Sequence, residues 1–367
     1  QVSASTMPAT TPRTPDATPA LPLPIRPMDA DTWDAAAADI EAITELKREK
    51  DAVILAHNYM TGDIFHGVAD ITGDSLALAR EARHVTQSTI VLAGVHFMAE
   101  TAKLLNPGKR VLLPDLRAGC SLAASVTAED VSALRAAHPG VPVVTYVNTS
   151  VAVKAASDIC CTSGNALRVV ESLGVDRVIM IPDQYLARNI AAQTGVDMII
   201  WPGACEVHEQ FTAAEVRALR DAYPGVTVLA HPECPPEVVA EADFAGSTAQ
   251  MSDFVASRRA SMVALVTECS MSANLAGAHP EVEFIGMCQL CPHMQRITLK
   301  GIRTALETGR HEISVARRDG HREPPCRECG PRRGRREGRR RGGCLPPRGR
   351  DRRHPRSRCA AGTRRSG

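Results

Sequence analysis

The chain has 367 residues, 44% of them hydrophobic and only 12 aromatic, with a formal net charge of +2. That length can bury the cores of two or three domains, and no apolar run approaches the ~18 residues that a membrane span requires. The charge is divided: residues 317–367 carry 19 Arg and 5 acids, a net +14, so the remaining body stands at −12, which argues against nucleic-acid binding by the folded part.

Residues 1–30, rich in Pro, Thr and Ala, lack the apolar core of a secretion signal and read as a disordered leader. Without such a signal, the 12 Cys read as reduced thiols of a cytoplasmic protein, some of them metal ligands. A helical stretch, AITELKREK, leads into the apolar strand DAVILAHNY, and the short strands TIVLAGV and RVLLPD follow. From Thr127 the chain reads TAEDVSALRAAHPGVPVVTYVN, and from Thr212 it reads TAAEVRALRDAYPGVTVLAHPE, identical at 11 of 22 positions. In both, a Thr N-cap and early acids open a helix with apolar residues at helical spacing (Val131, Leu134; Val216, Leu219). Pro-Gly then ends the helix and an apolar strand begins. DRVIMIPD, DMIIWPG, SMVALVTE and VEFIG continue the alternation, which means parallel sheets covered by helices. The expected fold is α/β: three units related by a pseudo-threefold axis, with short parallel sheets around a central site. Their bounds are residues 31–125, 126–211 and 212–316, the last carrying a C-terminal helix.

Each unit supplies the same chemical groups. His57, Tyr146 and His231 end equivalent strands, at separations of 89 and 85 residues. In parallel α/β sheets that is where ligands bind. Some 17 or 18 residues later come Ser75, Ser163 and Thr248 at helix starts. Each alone reads as an N-cap, but three helix starts aimed at one cavity suit a substrate with several carboxylates or a phosphate. Cys120, Cys205 and Cys291 follow, 85 and 86 residues apart. Three thiolates on one axis can hold zinc or an iron–sulfur cluster, and a four-iron cluster with three ligands leaves one iron open to substrate. The strand-end triplets His57-Asn58-Tyr59, Tyr146-Val147-Asn148 and His231-Pro232-Glu233 add acid–base and hydrogen-bonding groups. Cys160, Cys161 and Cys269 lack counterparts and read as structural; Cys288, in a C-x2-C with Cys291, reads as a redox neighbour.

The motifs AHNYM, GDSLALA, GVHFMAETAK, YVNTS, CTSGNA, WPGACEVHEQF, AHPEC, GSTAQM, VTECSM and CQLCPHMQRITL, in this order over about residues 35–312, resemble those of the quinolinate synthase family. The resemblance implies a [4Fe–4S] cluster held by Cys120, Cys205 and Cys291. It implies condensation of iminoaspartate with dihydroxyacetone phosphate to quinolinate, with loss of phosphate and two waters. His57, Ser75, Tyr146, Asn148, Ser163, His231, Glu233 and Thr248 would then bind substrate, and Glu233, Tyr59, Tyr146 and His231 would move protons. Met98 and Lys103 would line the pocket. Coupling to L-aspartate oxidase is implied, with no nucleic-acid or membrane partner. Two rivals are a zinc-dependent hydrolase using the three cysteines and a non-catalytic RNA-binding protein acting through the Arg-rich tail.

Beyond residue 316 apolar patterning stops. Residues 317–367 hold one Leu (Leu345) and no Ile, Val, Met, Phe, Tyr or Trp, so no element there could bury a face. A disordered tail is expected, with the composition of a GC-rich gene translated out of frame after a frameshift near residue 316. Cys326-x2-Cys329 is then accidental.

Overall fold

The computed structural model describes residues 23–257 and 259–315. The expected tail and its four cysteines lie outside the described residues, as does most of the leader. After β1 (Leu23–Ile25), the first sheet is built from β2 (Ala52–His57), β3 (Ile71–Gly73), β4 (Thr89–Ala93) and β5 (Arg110–Leu112). The second holds β6 (Val143–Tyr146), β7 (Ile159–Cys161), β8 (Arg177–Ile181) and β9 (Asp197–Ile200). The third holds β10 (Thr227–Ala230), β11 (Phe244–Ala245), β12 (Met262–Val266) and β13 (Glu283–Gly286). The strand orders are β3-β2-β4-β5, β7-β6-β8-β9 and β11-β10-β12-β13, so one topology occurs three times. Every pairing within these sets of four is parallel. Every residue of β2 and of β4 is buried, as expected of parallel strands covered on both faces.

β1 corrects the sequence expectation for the leader. Residues 23–25 pair antiparallel with Phe284–Gly286 at the edge of the third sheet. Gly286 permits this closeness, because a β-carbon there would stand 2.7 Å from the Ile25 side chain. A described strand therefore precedes residue 31, where the first unit was expected to start.

The repeated helices form for the reasons the sequence suggests. Thr127 and Thr212 cap helices Ala128–Ala137 and Ala213–Ala222 in reciprocal capping boxes with Asp130 and Glu215. Gly140 and Gly225, at φ +81 and +87, take the left-handed turn that follows each helix. A tie not foreseen joins each of these helices to its sheet. Arg135 pairs with Asp158 and Arg220 with Asp243, as Lys47 on helix Ala30–Glu49 pairs with Asp70. Each Asp also accepts the backbone N–H of the neighbouring strand, from Ile54, Val143 or Val228 at 2.7–2.8 Å.

The third such helix, Leu299–Thr308, is capped by Thr298, seven residues past Cys291, as Thr127 and Thr212 lie seven past Cys120 and Cys205. By sequence it was assigned to the third unit. In space it returns to the first, packing on helix Ala30–Glu49 and β4. Arg303 bonds Asp39 at 3.1 Å, and the segment after the helix adds to the edge of β5 through Ile313 N–H to Val111 O at 2.8 Å. The chain thus closes a ring of three units. Because Ile302 is fully buried in this closing contact, Ile302→Ala should lower unfolding stability by about 2–5 kcal/mol, measured as a reduced urea midpoint.

Candidate functional site

β2 ends at His57 and β6 at Tyr146, and His231 directly follows β10. These carboxyl ends share one cavity of about 80 Å3. Its walls include His57, Tyr59, Ser75, Tyr146, Asn148 and Ser163, together with His231, Glu233, Thr248 and the three cysteines, Cys120, Cys205 and Cys291. Met98 lines it too. Lys103 does not: its Nζ donates to Lys109 O at 2.6 Å and lies 3.9 Å from Glu312, on the side of the unit where the C-terminal segment docks. The hydroxyl residues are not N-caps. Asp74 and Ser247 cap the helices that begin with Ser75 and Thr248, and Ser163 lies in the turn before helix Ala166–Ser172. Their hydroxyls thus stand beside helix starts without serving as the caps.

Each cysteine is placed by the same backbone device. The first residue after the turn that ends β4, β8 or β12 donates its N–H to the carbonyl two residues before the cysteine: His96 to Ala118, Gln184 to Gly203 and Cys269 to Gln289, at 2.7–3.0 Å. A helical turn begins just past each cysteine, at Ser121–Ala124, His208–Gln210 and Met294–Arg296. The N–H groups two and three residues on then point at the sulfur. Burial pushes the Cys120 thiol up to about 12 and Cys291 up to about 11, and raises Cys205 well above its ordinary value; the N–H donors oppose this. Lone thiolates are therefore disfavoured, whereas a cationic centre would supply the missing charge. The donor set fits a metal centre: three sulfurs on one cavity, each already receiving N–H donors.

Two histidines have the same local geometry. The N–H of Tyr59 reaches Nδ1 of His57 at 3.2 Å, and the N–H of Glu233 reaches Nδ1 of His231 at 3.3 Å. Nδ1 is thus an acceptor in both, which leaves Nε2–H as the donor. Burial agrees, lowering His57 to about 4 and His231 to about 3, so both rings are neutral at physiological pH.

Glu233 is the buried carboxylate of this centre. Burial disfavours its charge, but the hydrogen bonds from His208 and Tyr146 outweigh that and hold the carboxyl below its ordinary range. Tyr146 donates to it at 2.5 Å and Asn148 at 3.4 Å. Burial and the Glu233 charge raise Tyr59 and Tyr146 well above the usual phenol value, so both keep their protons.

His208 is a further residue of the site, not expected from the sequence. Its Nδ1 lies 2.9 Å from Glu233 Oε2 and 3.1 Å from Cys205 Sγ, and its Nε2 lies 2.9 Å from the hydroxyl of Thr267. That hydroxyl is 2.6 Å from the Tyr59 phenol. With Nδ1–H donating to the carboxylate, an unbroken chain runs Tyr59, Thr267, His208, Glu233. Cys205, His208 and Glu233 also bring one ligand atom each within 4.8 Å of one another, a group able to take a divalent ion. The available signal was C-x2-H at Cys205–His208, which the threefold comparison hid because the other copies carry Ala123 and Met294 there. Glu268 was also missed. It lines the cavity and accepts the Cys291 N–H at 3.4 Å, and burial pushes its carboxyl up to about 7.

One cysteine expectation changes. Cys269 and Cys288 are joined by a disulfide, not present as a lone structural thiol and a free redox neighbour. The backbone bond from Cys269 to Gln289 brings the two side by side, with Cα atoms 4.8 Å apart. Cys160 and Cys161 are free thiols on β7.

The family profile described as "NadA: Quinolinate synthetase A protein" matches residues 41–323. The chain is 70% identical over 283 residues to "Quinolinate synthase 1" of Mesorhizobium japonicum, covering 77% of this chain and 87% of that one. It is 69% identical over 283 residues to "Quinolinate synthase" of Agrobacterium fabrum, covering 77% and 82%. A third relative, "Quinolinate synthase" of Xylella fastidiosa strain Temecula1, is 70% identical over 277 residues, covering 76% and 82%.

The neutral histidines carry a pH signature. Their folded values lie below the unfolded value of about 6.5, so the unfolded chain binds the extra protons and stability is lost as pH falls from about 6.5 toward 4. Glu268, raised to about 7, works oppositely between about 4.5 and 7. The loss of urea midpoint between pH 7 and pH 5 should therefore be smaller in a His57→Gln, His231→Gln double variant than in the parent.

Proposed function

This chain belongs to the quinolinate synthetase A family and is an enzyme of that type, and we propose that it condenses iminoaspartate with dihydroxyacetone phosphate to give quinolinate, phosphate and two waters. The observation that carries this is the convergence of Cys120, Cys205 and Cys291 on the cavity that holds Glu233 and its hydrogen-bonded tyrosine. The family assignment displaces the zinc-hydrolase and RNA-binding alternatives. Supply of iminoaspartate by an L-aspartate oxidase, and a cytoplasmic location, belong to the same proposal. No described helix is long and apolar enough to cross a membrane.

Both substrates are anions, yet among the described residues no Lys or Arg lines the cavity. Their carboxylates and phosphate are held by neutral donors: the hydroxyls of Ser75, Ser163 and Thr248, the Nε2–H groups of His57 and His231, and the Asn148 amide. The N-terminus of helix Thr248–Ala256 adds its dipole. Neutral donors hold an anion without forming a buried ion pair that must be broken for release.

Glu233 is the general base. It is ionised, touches the Tyr146 proton and is supported by His208. Tyr146 can give its proton to a departing oxygen and recover one from the protonated Glu233, while the chain from Tyr59 through Thr267 and His208 delivers protons toward Glu233. Cys120, Cys205 and Cys291 would hold the iron–sulfur centre, as a [4Fe–4S] cluster, and its remaining iron would supply a Lewis acid to a substrate oxygen.

Glu233→Gln keeps the side-chain shape and removes the base. Turnover in an anaerobic quinolinate assay should fall about 10²–10⁴-fold with the visible iron–sulfur absorption retained. Cys205→Ser should lose that absorption and the activity together; an intact cluster in this variant would exclude Cys205 as a ligand.

A further inference from the structure

The three cysteine loops touch one another through residues that the chemistry above does not use. Ser121, next to Cys120, donates its hydroxyl to Ala204 O at 3.2 Å and accepts the Glu206 N–H at 3.1 Å. That joins the first loop to the second. Glu206, next to Cys205, places Oε1 2.9 Å from Nε2 of His293, two residues past Cys291. That joins the second loop to the third. The His293 ring lies against Gly119, where a β-carbon would stand 3.4 Å from Nδ1, so the third loop meets the residue before Cys120. The ring of ties is closed.

Its position is informative. Gly119, Ser121, Glu206 and His293 all line the cavity, yet all are only half-buried, whereas Glu233, His208 and His231 are buried. The ties therefore stand where the cysteine end of the cavity meets solvent. They also break the threefold symmetry: Ser121 and Glu206 are different groups at the position after their cysteines, where the third copy has Pro292, and His293 stands one residue further on, so periodicity does not reveal them.

We propose that Ser121, Glu206 and His293 are positioning residues that form a belt around the three cysteine loops, fixing the loops at ligand separation and covering the solvent side of the metal centre. This rests on Cys120, Cys205 and Cys291 being the ligands of an iron–sulfur centre. The Glu206–His293 contact is only half-buried, and such partly exposed polar contacts contribute little to global stability. The effect of cutting the belt therefore falls on retention of the centre and not on the fold. Residues that orient metal ligands typically change metal retention by about 10-fold or more.

The test uses the full chain, reconstituted anaerobically with iron and sulfide, and follows loss of the visible absorption under a strong iron chelator. His293→Ala and Glu206→Ala should lose it about 10-fold faster than the parent, with circular dichroism and urea midpoint unchanged. Ser121→Ala should shift it in the same direction. His293→Gln, whose amide can still donate to Glu206, should recover much of the parent's retention. Loss rates within about twofold of the parent in both alanine variants would overturn the belt while leaving the cluster assignment intact. A parent that takes up no iron and sulfide would instead overturn the cluster assignment, and the belt with it.

Discussion

Everything at this site depends on one backbone hydrogen bond made three times. The residue that opens the helix after the third strand of each unit donates to the carbonyl two residues before a cysteine. A strand end is rigid, so the bond transfers the precision of the sheet to a loop that has no regular structure before the cysteine. The helical turn that follows aims two more N–H groups at the sulfur. Symmetry does the rest: three copies of one local rule bring three sulfurs to one cavity. The cost falls on the thiols, which burial drives toward the neutral form until a cationic centre offsets it.

A second constraint is electrostatic. The cavity keeps one carboxylate, Glu233, ionised within it, and under the proposed reaction it also admits anions. Lysine or arginine would satisfy the substrates but would also pair with Glu233 and blunt its basicity. Here the donors are neutral imidazoles, hydroxyls and amides, and the histidine tautomers are fixed by backbone N–H groups from residues two positions on. The charge on Glu233 is sustained by short hydrogen bonds from Tyr146 and His208. These same bonds make it the point where two proton-carrying chains converge, one from Tyr146 and one from Tyr59 through Thr267 and His208.

Much of this was legible in the sequence because repetition converts weak local signals into a strong one. One cysteine beside glycine says little; Cys120, Cys205 and Cys291 at separations of 85 and 86 residues say that one place in space holds three. The strands were legible because parallel strands buried on both faces must be apolar throughout. What escaped notice was whatever breaks the symmetry or depends on contacts through space. His208 has no counterpart in the other copies. The Cys269–Cys288 pairing needs the β12 end and the Cys291 loop side by side. Ser75 and Thr248 were taken for caps because the capping residues, Asp74 and Ser247, stand just one position earlier. One periodic signal was simply overlooked: Lys47 and Asp70, Arg135 and Asp158, and Arg220 and Asp243 are each 23 residues apart. The return of helix Leu299–Thr308 to the first unit follows from ring closure, which no local pattern encodes.

The central claim is that three cysteines and no fourth protein ligand hold the metal centre, leaving one iron for substrate. Mössbauer spectroscopy of the reconstituted full chain, before and after addition of a substrate or product analogue, tests it most directly. The account predicts four irons, one of which, a quarter of the signal, changes on addition while the others keep their parameters. A spectrum in which every iron is unaffected, from a protein shown to bind the analogue, would contradict it.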